Sequence, residues 1–166
     1  MVLVVQDNKH LEFNIPEKVP EGIFRTYDIR GEADAAGVSP GIAYAIGLVF
    51  GSMVKETGEH EVIVGRDGRL TGLELTQALV AGLCQSGCDV IDIGQVPTPL
   101  VYFATKTLSA NSGIMVTASH NPGHHNGFKS VLGGVTLSTE GVQTLYQRIV
   151  QQLWQLAPPS GRYRQQ

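Results

Sequence analysis

A chain of 166 residues is one domain, or one domain with tails, and its 42% of hydrophobic residues supply a real core. A net charge of −3 without a block of like charges is neither a nucleic-acid footprint nor a polybasic membrane patch, so neither partner is expected. Two cysteines, Cys84 and Cys88, are too few for a disulfide scaffold and lack the CxxC spacing of a metal or redox pair. They read as small core residues, and a cytoplasmic setting is expected.

The chain opens MVLVVQDNKHLEF, whose apolar run is too short for a signal peptide or a membrane span. Residues 1–19 lack periodicity and read as an N-terminal tail or a short edge strand. A single domain is expected over 20–157, with 158–166 as the start of a linker.

Ser39-Pro40 pairs an N-cap with proline at the first helical position. Ile42, Ile46, Val49, Phe50 and Met53 then recur at helical spacing until Gly58. HEVIVG (60–65) reads as a strand. Residues 73–86 read as a helix with Leu75, Leu79 and Leu83 on one stripe and Gly87 beyond its end. CDVIDIG (88–94) is the next strand, and 97–108 reads as loop and then a short helix. GIMVTA (113–118) and FKSVLGG (128–134) are strands. Ser138 or Thr139 opens a last helix with Val142, Leu145, Ile149 and Leu153 inward. GRYRQQ, at the end, forms no recognisable closing element. Strands alternating with helices predict an α/β layer fold with a largely parallel sheet.

In such sheets, ligands sit beyond the carboxyl ends of the strands. Three polar loops follow three apolar strands: GRDGRLTG (65–72) with Arg66, Asp67 and Arg69, GQVPTP (94–99), and SHNPGHHNG (119–127). If the strands are parallel, all three loops meet at one edge.

The last loop carries the most chemistry. Asn121-Pro122-Gly123-His124 has the residues of a type II turn, and Asn126-Gly127 those of a tight hairpin turn. Two turns so close would hold Ser119 and His120 at a rigid corner, where backbone N–H groups can form an anion-binding nest. Lys129 could return a positive charge to the same place. A hydrolase nucleophile is disfavoured, since there is no GxSxG elbow and adjacent residues rarely aim at each other. Metal binding by His120, His124 and His125 matches no standard zinc spacing and has no cysteine or acidic residue nearby in sequence. A phosphoserine at Ser119 would want N–H groups, cations and a general acid, and the loop offers candidates for all three. On residue types alone, that reading and an ordinary polar surface loop both stand.

TASHNP (117–122) followed by NGFK (126–129) resembles the phosphoserine loop of the α-D-phosphohexomutases. FRTYDIRG (24–31) resembles the opening motif of the phosphomannomutase/phosphoglucomutase branch, rather than the FGTDGIRG-like opening of phosphoglucosamine mutases. VGRDGR (64–69) and DIGQVPTP (92–99) resemble two further motifs in the expected order. The resemblance runs from about Phe24 to Leu156 and covers the first of the family's four domains. It implies a three-layer α/β/α fold with a mixed, mostly parallel sheet.

The resemblance also implies roles. Ser119 would carry the phosphoryl group, give it to a hexose monophosphate and be recharged from the hexose 1,6-bisphosphate. Mg²⁺ would bridge the phosphoserine and carboxylates. His120 and Lys129 would flank the reacting oxygens, with Lys129 as acid or base; a lysine serves as base where its surroundings favour the neutral amine, as neighbouring cations do. Tyr27 and Arg30 would shape the substrate site, Arg30 also countering charge on the transferring group. Arg66, Asp67 and Arg69 would act directly or brace a loop, with Asn121 and Asn126 in support. The family's DGDxDR-type metal loop and its GEMSG-like sugar loop do not occur in this sequence. The 166 residues alone are therefore expected to lack mutase turnover and to expose an apolar surface where further domains dock. The other reading is a stand-alone module that binds phosphate or a partner without catalysis.

Overall fold

Side chains along the apolar central strands point alternately to the two faces of the sheet, and each face acquires its own helices. The computed structural model describes residues 13–166. Its strands are β1 (Ile29–Glu32), β2 (Glu61–Arg66), β3 (Asp89–Gln95), β4 (Ser112–Val116), β5 (His125–Leu132), β6 (Val135–Thr136) and β7 (Tyr163–Gln165). Its helices are α1 (Pro40–Glu56), α2 (Gly72–Gln85), α3 (Thr98–Thr107) and α4 (Thr139–Val150). Val62, Val64, Val90, Ile114 and Val116 join one buried cluster with α1, α2 and α4. Their sequence neighbours Ile63, Ile91 and Met115 join a second cluster with Val101 and Ala104 of α3. The period of two along a strand thus produces three layers.

The sheet runs β1-β5-β4-β2-β3-β7, with β6 beside β5. β4, β2, β3 and β7 are mutually parallel, and every antiparallel pairing involves β5. β1 and β4 therefore flank β5, which brings the start of the domain against its middle.

Local signals explain most boundaries. Ser39 Oγ accepts from the N–H of Ile42 at 3.3 Å, with Pro40 next, so α1 starts there. α3 begins directly after Pro97, with no intervening loop. The expected strand 128–134 starts earlier and turns at Gly133 and Gly134, both at positive φ, to form a two-residue hairpin with β6. Asn126-Gly127, expected as that kind of turn, lies inside β5 opposite Gly31 and Arg30. A Cβ on Gly127 would lie 2.0 Å from the carbonyl oxygen of Ile29, so the glycine serves close strand approach and not a turn.

The ends depart from expectation. The first twelve residues, with the apolar run, lie outside the described residues. Phe13, Ile15 and Val19 form no strand, but pack on the main core, the Phe13 ring 5.7 Å from that of Tyr44. α4 stops at Val150, so Leu153 is exposed and not inward. Tyr163–Gln165 adds a parallel edge strand to β3. It carries no alternating apolar residues, and its side chains are exposed, so periodicity could not signal it. No helix among the described residues is long and apolar enough to cross a membrane.

Candidate functional site

Because β2, β3 and β4 are parallel, their carboxyl ends share one edge of the sheet. The loops there touch one another. Arg66 donates to the Gln95 side chain at 3.1 Å, joining the β2 and β3 loops. Arg69 crosses to the β4 loop, where its guanidinium donates to the carbonyl oxygens of Ser119 at 2.8 Å, Asn121 at 2.8 Å, Pro122 at 2.6 Å and His125 at 3.0 Å. The planar fork of arginine suits this; a lysine could not span four acceptors.

The serine corner follows from that brace. Thr117 donates to Asp67 at 2.7 Å and accepts the Ser119 N–H at 3.0 Å. Asp67 also accepts from the backbone and side chain of Arg69. Ser119 itself stands at φ 54°, in the left-handed region that non-glycine residues avoid. Two turns are present, closed by Asn121 N–H to Ala118 and by His125 N–H to Pro122, each at 3.0 Å. They are not the type II turn expected over 121–124, which needs positive φ at Gly123; here the positive φ falls on Ser119 instead. Ser119 and His120 are exposed and share no hydrogen bond, so a Ser-His hydrolase pair is not formed.

A second group lies beside the corner. Asp28 is 5% exposed, and its two oxygens receive Lys129 Nζ at 3.1 Å and Arg30 Nε at 3.2 Å. Arg30 reaches on to the Asn121 side chain at 3.1 Å. The structure thus links Lys129, Asp28, Arg30 and Asn121 in one chain of contacts that ends on the serine loop. Lys129 has a carboxylate as its direct partner, where the sequence reading looked for cations; Arg30 shares that carboxylate. Asp28 and Thr117 were missed at the sequence level although both lie inside the quoted motifs FRTYDIRG and TASHNP. No sequence signal joins Asp28 to Lys129, which lies 101 residues away.

The other candidates divide. Asn126 is fully buried; its amide donates to Thr71 at 3.0 Å and its oxygen accepts from Gly127 N–H, so it is scaffold. Tyr27 is 67% exposed and, like His120, has no side-chain hydrogen bond among the described residues. His124 and His125 do meet an acidic group, contrary to expectation, because strand pairing sets Glu32 opposite His125. Burial pushes the Cys84 thiol up to about 12, which leaves it inert near neutral pH.

Magnesium requires several oxygen ligands in near-octahedral geometry. The two carboxylates tied into the site, Asp28 and Asp67, are already held by Lys129, Arg30, Arg69 and Thr117. The described residues therefore fit Mg²⁺ only through an oxygen carried on Ser119, not as a complete site.

Residues 21–155 match the sequence model described as phosphoglucomutase/phosphomannomutase, alpha/beta/alpha domain I. The chain is 46% identical over 135 residues to a Pseudomonas putida protein named phosphomannomutase/phosphoglucomutase, covering 81% of this chain and 29% of that one. It is 42% identical over 127 residues to a Neisseria gonorrhoeae phosphoglucomutase, covering 76% of this chain and 27% of that one. A solved phosphoglucomutase/phosphomannomutase family protein from Burkholderia thailandensis superposes with a TM-score of 0.84 at 44% identity, over 89% of this chain and 33% of that one. The chain spans less than a third of the length of the curated relatives it matches.

Proposed function

Since this chain belongs to the phosphoglucomutase/phosphomannomutase family, as its alpha/beta/alpha domain I, we propose that it is the phosphoserine-bearing part of an enzyme that interconverts hexose 1-phosphates and hexose 6-phosphates. The observation that carries this reading is Ser119 at positive φ with its loop carbonyls gripped by Arg69. Strain of that kind persists only where the surroundings over-determine it, and it presents one hydroxyl at a fixed place.

Phosphoryl transfer needs positioning and charge neutralisation more than covalent participation. A hydroxyl oxygen of the sugar monophosphate bonds to phosphorus while the bond from phosphorus to Ser119 Oγ breaks. Ser119 Oγ takes a proton from Lys129, whose ammonium pairs with Asp28, and Lys129 regains one from the sugar hydroxyl as that oxygen bonds to phosphorus. The bisphosphate so formed turns over and returns its other phosphoryl group to Ser119. Arg30 counters charge on the moving group, and Asp28 keeps Arg30 and Lys129 in place. Tyr27 and His120, both open to solvent, are proposed to meet the sugar phosphate. Mg²⁺, when bound to the Ser119 phosphate, would supply further charge neutralisation.

Further domains of the same protein are proposed to complete the site. Leu70, 99% exposed in the β2 loop, and the exposed Leu100 and Phe103 of α3 support a covering partner. The isolated chain is proposed to have no turnover, which is supported by its incomplete magnesium ligand set. Peptide-resolved mass spectrometry of the native polypeptide tests the reading. A longer chain carrying phosphate at Ser119 is expected. A 166-residue polypeptide with bare Ser119 would overturn it and favour a non-catalytic binding module.

A further inference from the structure

The geometry points to a second metal site, for a zinc-type divalent transition metal, formed by Glu32, His124 and His125. Each residue offers one donor atom, and the three donors lie within 4.8 Å of one another. Metal bonds of zinc to nitrogen and oxygen imply donors roughly 3.4 Å apart in a tetrahedral site. Small side-chain rotations close that gap.

The backbone beneath the three donors is already fixed. Glu32 and His125 are paired residues in the antiparallel β1–β5 ladder. Ala33 N–H donates to His124 O at 2.9 Å, and His125 N–H donates to Pro122 O at 3.0 Å. Consecutive strand residues point to opposite faces, but His124 still belongs to the turn. Its ring therefore comes within 4.4 Å of the His125 ring, centroid to centroid.

An independent observation falls on one of the three residues. Nδ1 of His125 is buried without a hydrogen-bond partner, the one such side-chain atom among the described residues. A buried polar atom left so is costly, and native structures seldom tolerate it without an ion or another partner. None of the three side chains is engaged in another hydrogen bond or ion pair among the described residues, and Glu32 and His124 are exposed, so an ion can enter.

Two imidazoles and one carboxylate are a borderline donor set that suits zinc and its neighbours, whereas magnesium wants oxygen throughout. Three protein donors leave a fourth position for water. The ion would tie the end of β1 to the second turn of the serine loop, the turn whose carbonyls Arg69 also holds. Its role is a clamp on that loop.

Titrating the chelator-treated chain with ZnCl₂ by calorimetry, beside thermal melts, tests this. One saturable zinc per chain is expected, with a raised melting temperature and no competition from excess Mg²⁺. Glu32→Gln and His124→Ala alter exposed side chains and should leave the fold intact. Each is expected to weaken zinc at least about tenfold, a loss already seen when groups one step beyond the ligands are removed. His125→Ala should do the same, and His120→Ala should not. Absence of saturable binding overturns the site. So does affinity retained in Glu32→Gln or His124→Ala, or affinity lost in His120→Ala.

Discussion

The Arg69 guanidinium donates to the carbonyl oxygen of Ser119 at 2.8 Å, across 50 residues of sequence. That contact and its three companions make the serine corner a product of the β2 loop as much as of its own turn residues. Arg69→Lys keeps the charge and loses the fork. Hydrogen bonds to a charged group are worth about 1.5–3 kcal/mol each, and carbonyls set free at this edge recover water. Urea denaturation is therefore expected to show a loss of about 2–3 kcal/mol for Arg69→Ala and nearly as much for Arg69→Lys. Equal stability in Arg69→Lys and the parent would mean that charge alone holds the loop.

Ser119 carries a conformational cost that glycine would not. A left-handed L-residue costs about 1–2 kcal/mol, and a glycine's extra unfolded-state freedom gives back about 0.4–1. Ser119→Gly is expected to raise stability by about 0.5–1 kcal/mol while removing the hydroxyl proposed to carry phosphate. Ser119→Ala keeps the strain and should not gain. Thermal melts of the three proteins decide; a destabilised Ser119→Gly would place the strain elsewhere.

The α/β layering was legible in the sequence because apolar strands such as 60–65 and 88–94 alternate with helical stretches. The convergence of three loops followed from parallel strands alone. The turn assignments failed for a physical reason: Asn126-Gly127 has the composition of a hairpin, but β1 passes so close that only glycine fits, and tertiary contact overrode local preference. Asp28 stayed hidden because its partners, Arg30 and Lys129, lie on different strands. The pairing of Glu32 with His125 was invisible until β1 was seen antiparallel to β5.

The same close approach gives a sharp contrast between two glycines. A methyl at Gly127 would sit 2.0 Å from Ile29 O, whereas one at Gly123 meets nothing within 4 Å. Gly127→Ala is expected to cost about 3 kcal/mol, near the upper end for overpacking, and to loosen β1. Gly123→Ala should stay within about 0.5 kcal/mol of the parent. Matching losses in the two variants would contradict the tight β1–β5 contact.

A source of acid sensitivity lies far from the site. Arg148 of α4 donates to both oxygens of Glu56 at 2.7 and 2.9 Å, and these bonds hold the Glu56 carboxyl below its usual range, against an opposing effect of burial. A lowered folded-state value means that the contribution is present above the unfolded glutamate range and disappears as pH falls through the folded one. The Glu56 side chain is 49% exposed, so solvent limits the effect to about 0.5 kcal/mol. Glu56→Gln should thus be slightly less stable than the parent at pH 7 and equal to it near pH 3, read from urea midpoints.

The placing of β1 beside β5 also governs when the site comes into being. Lys129 and Asp28 are 101 residues apart, and Arg30 and Asn121 are 91 apart. Closing such distances costs entropy that shorter pairings do not, so the parallel β2-α2-β3 unit can organise first. In pulsed hydrogen exchange, the amide of Ala33, which donates to His124 O, should gain protection after that of Ile63. On the ribosome, the nascent chain would hold a serine but no corner until β5 has emerged. The corner is complete only when β5, synthesised long after β1, docks between β1 and β4.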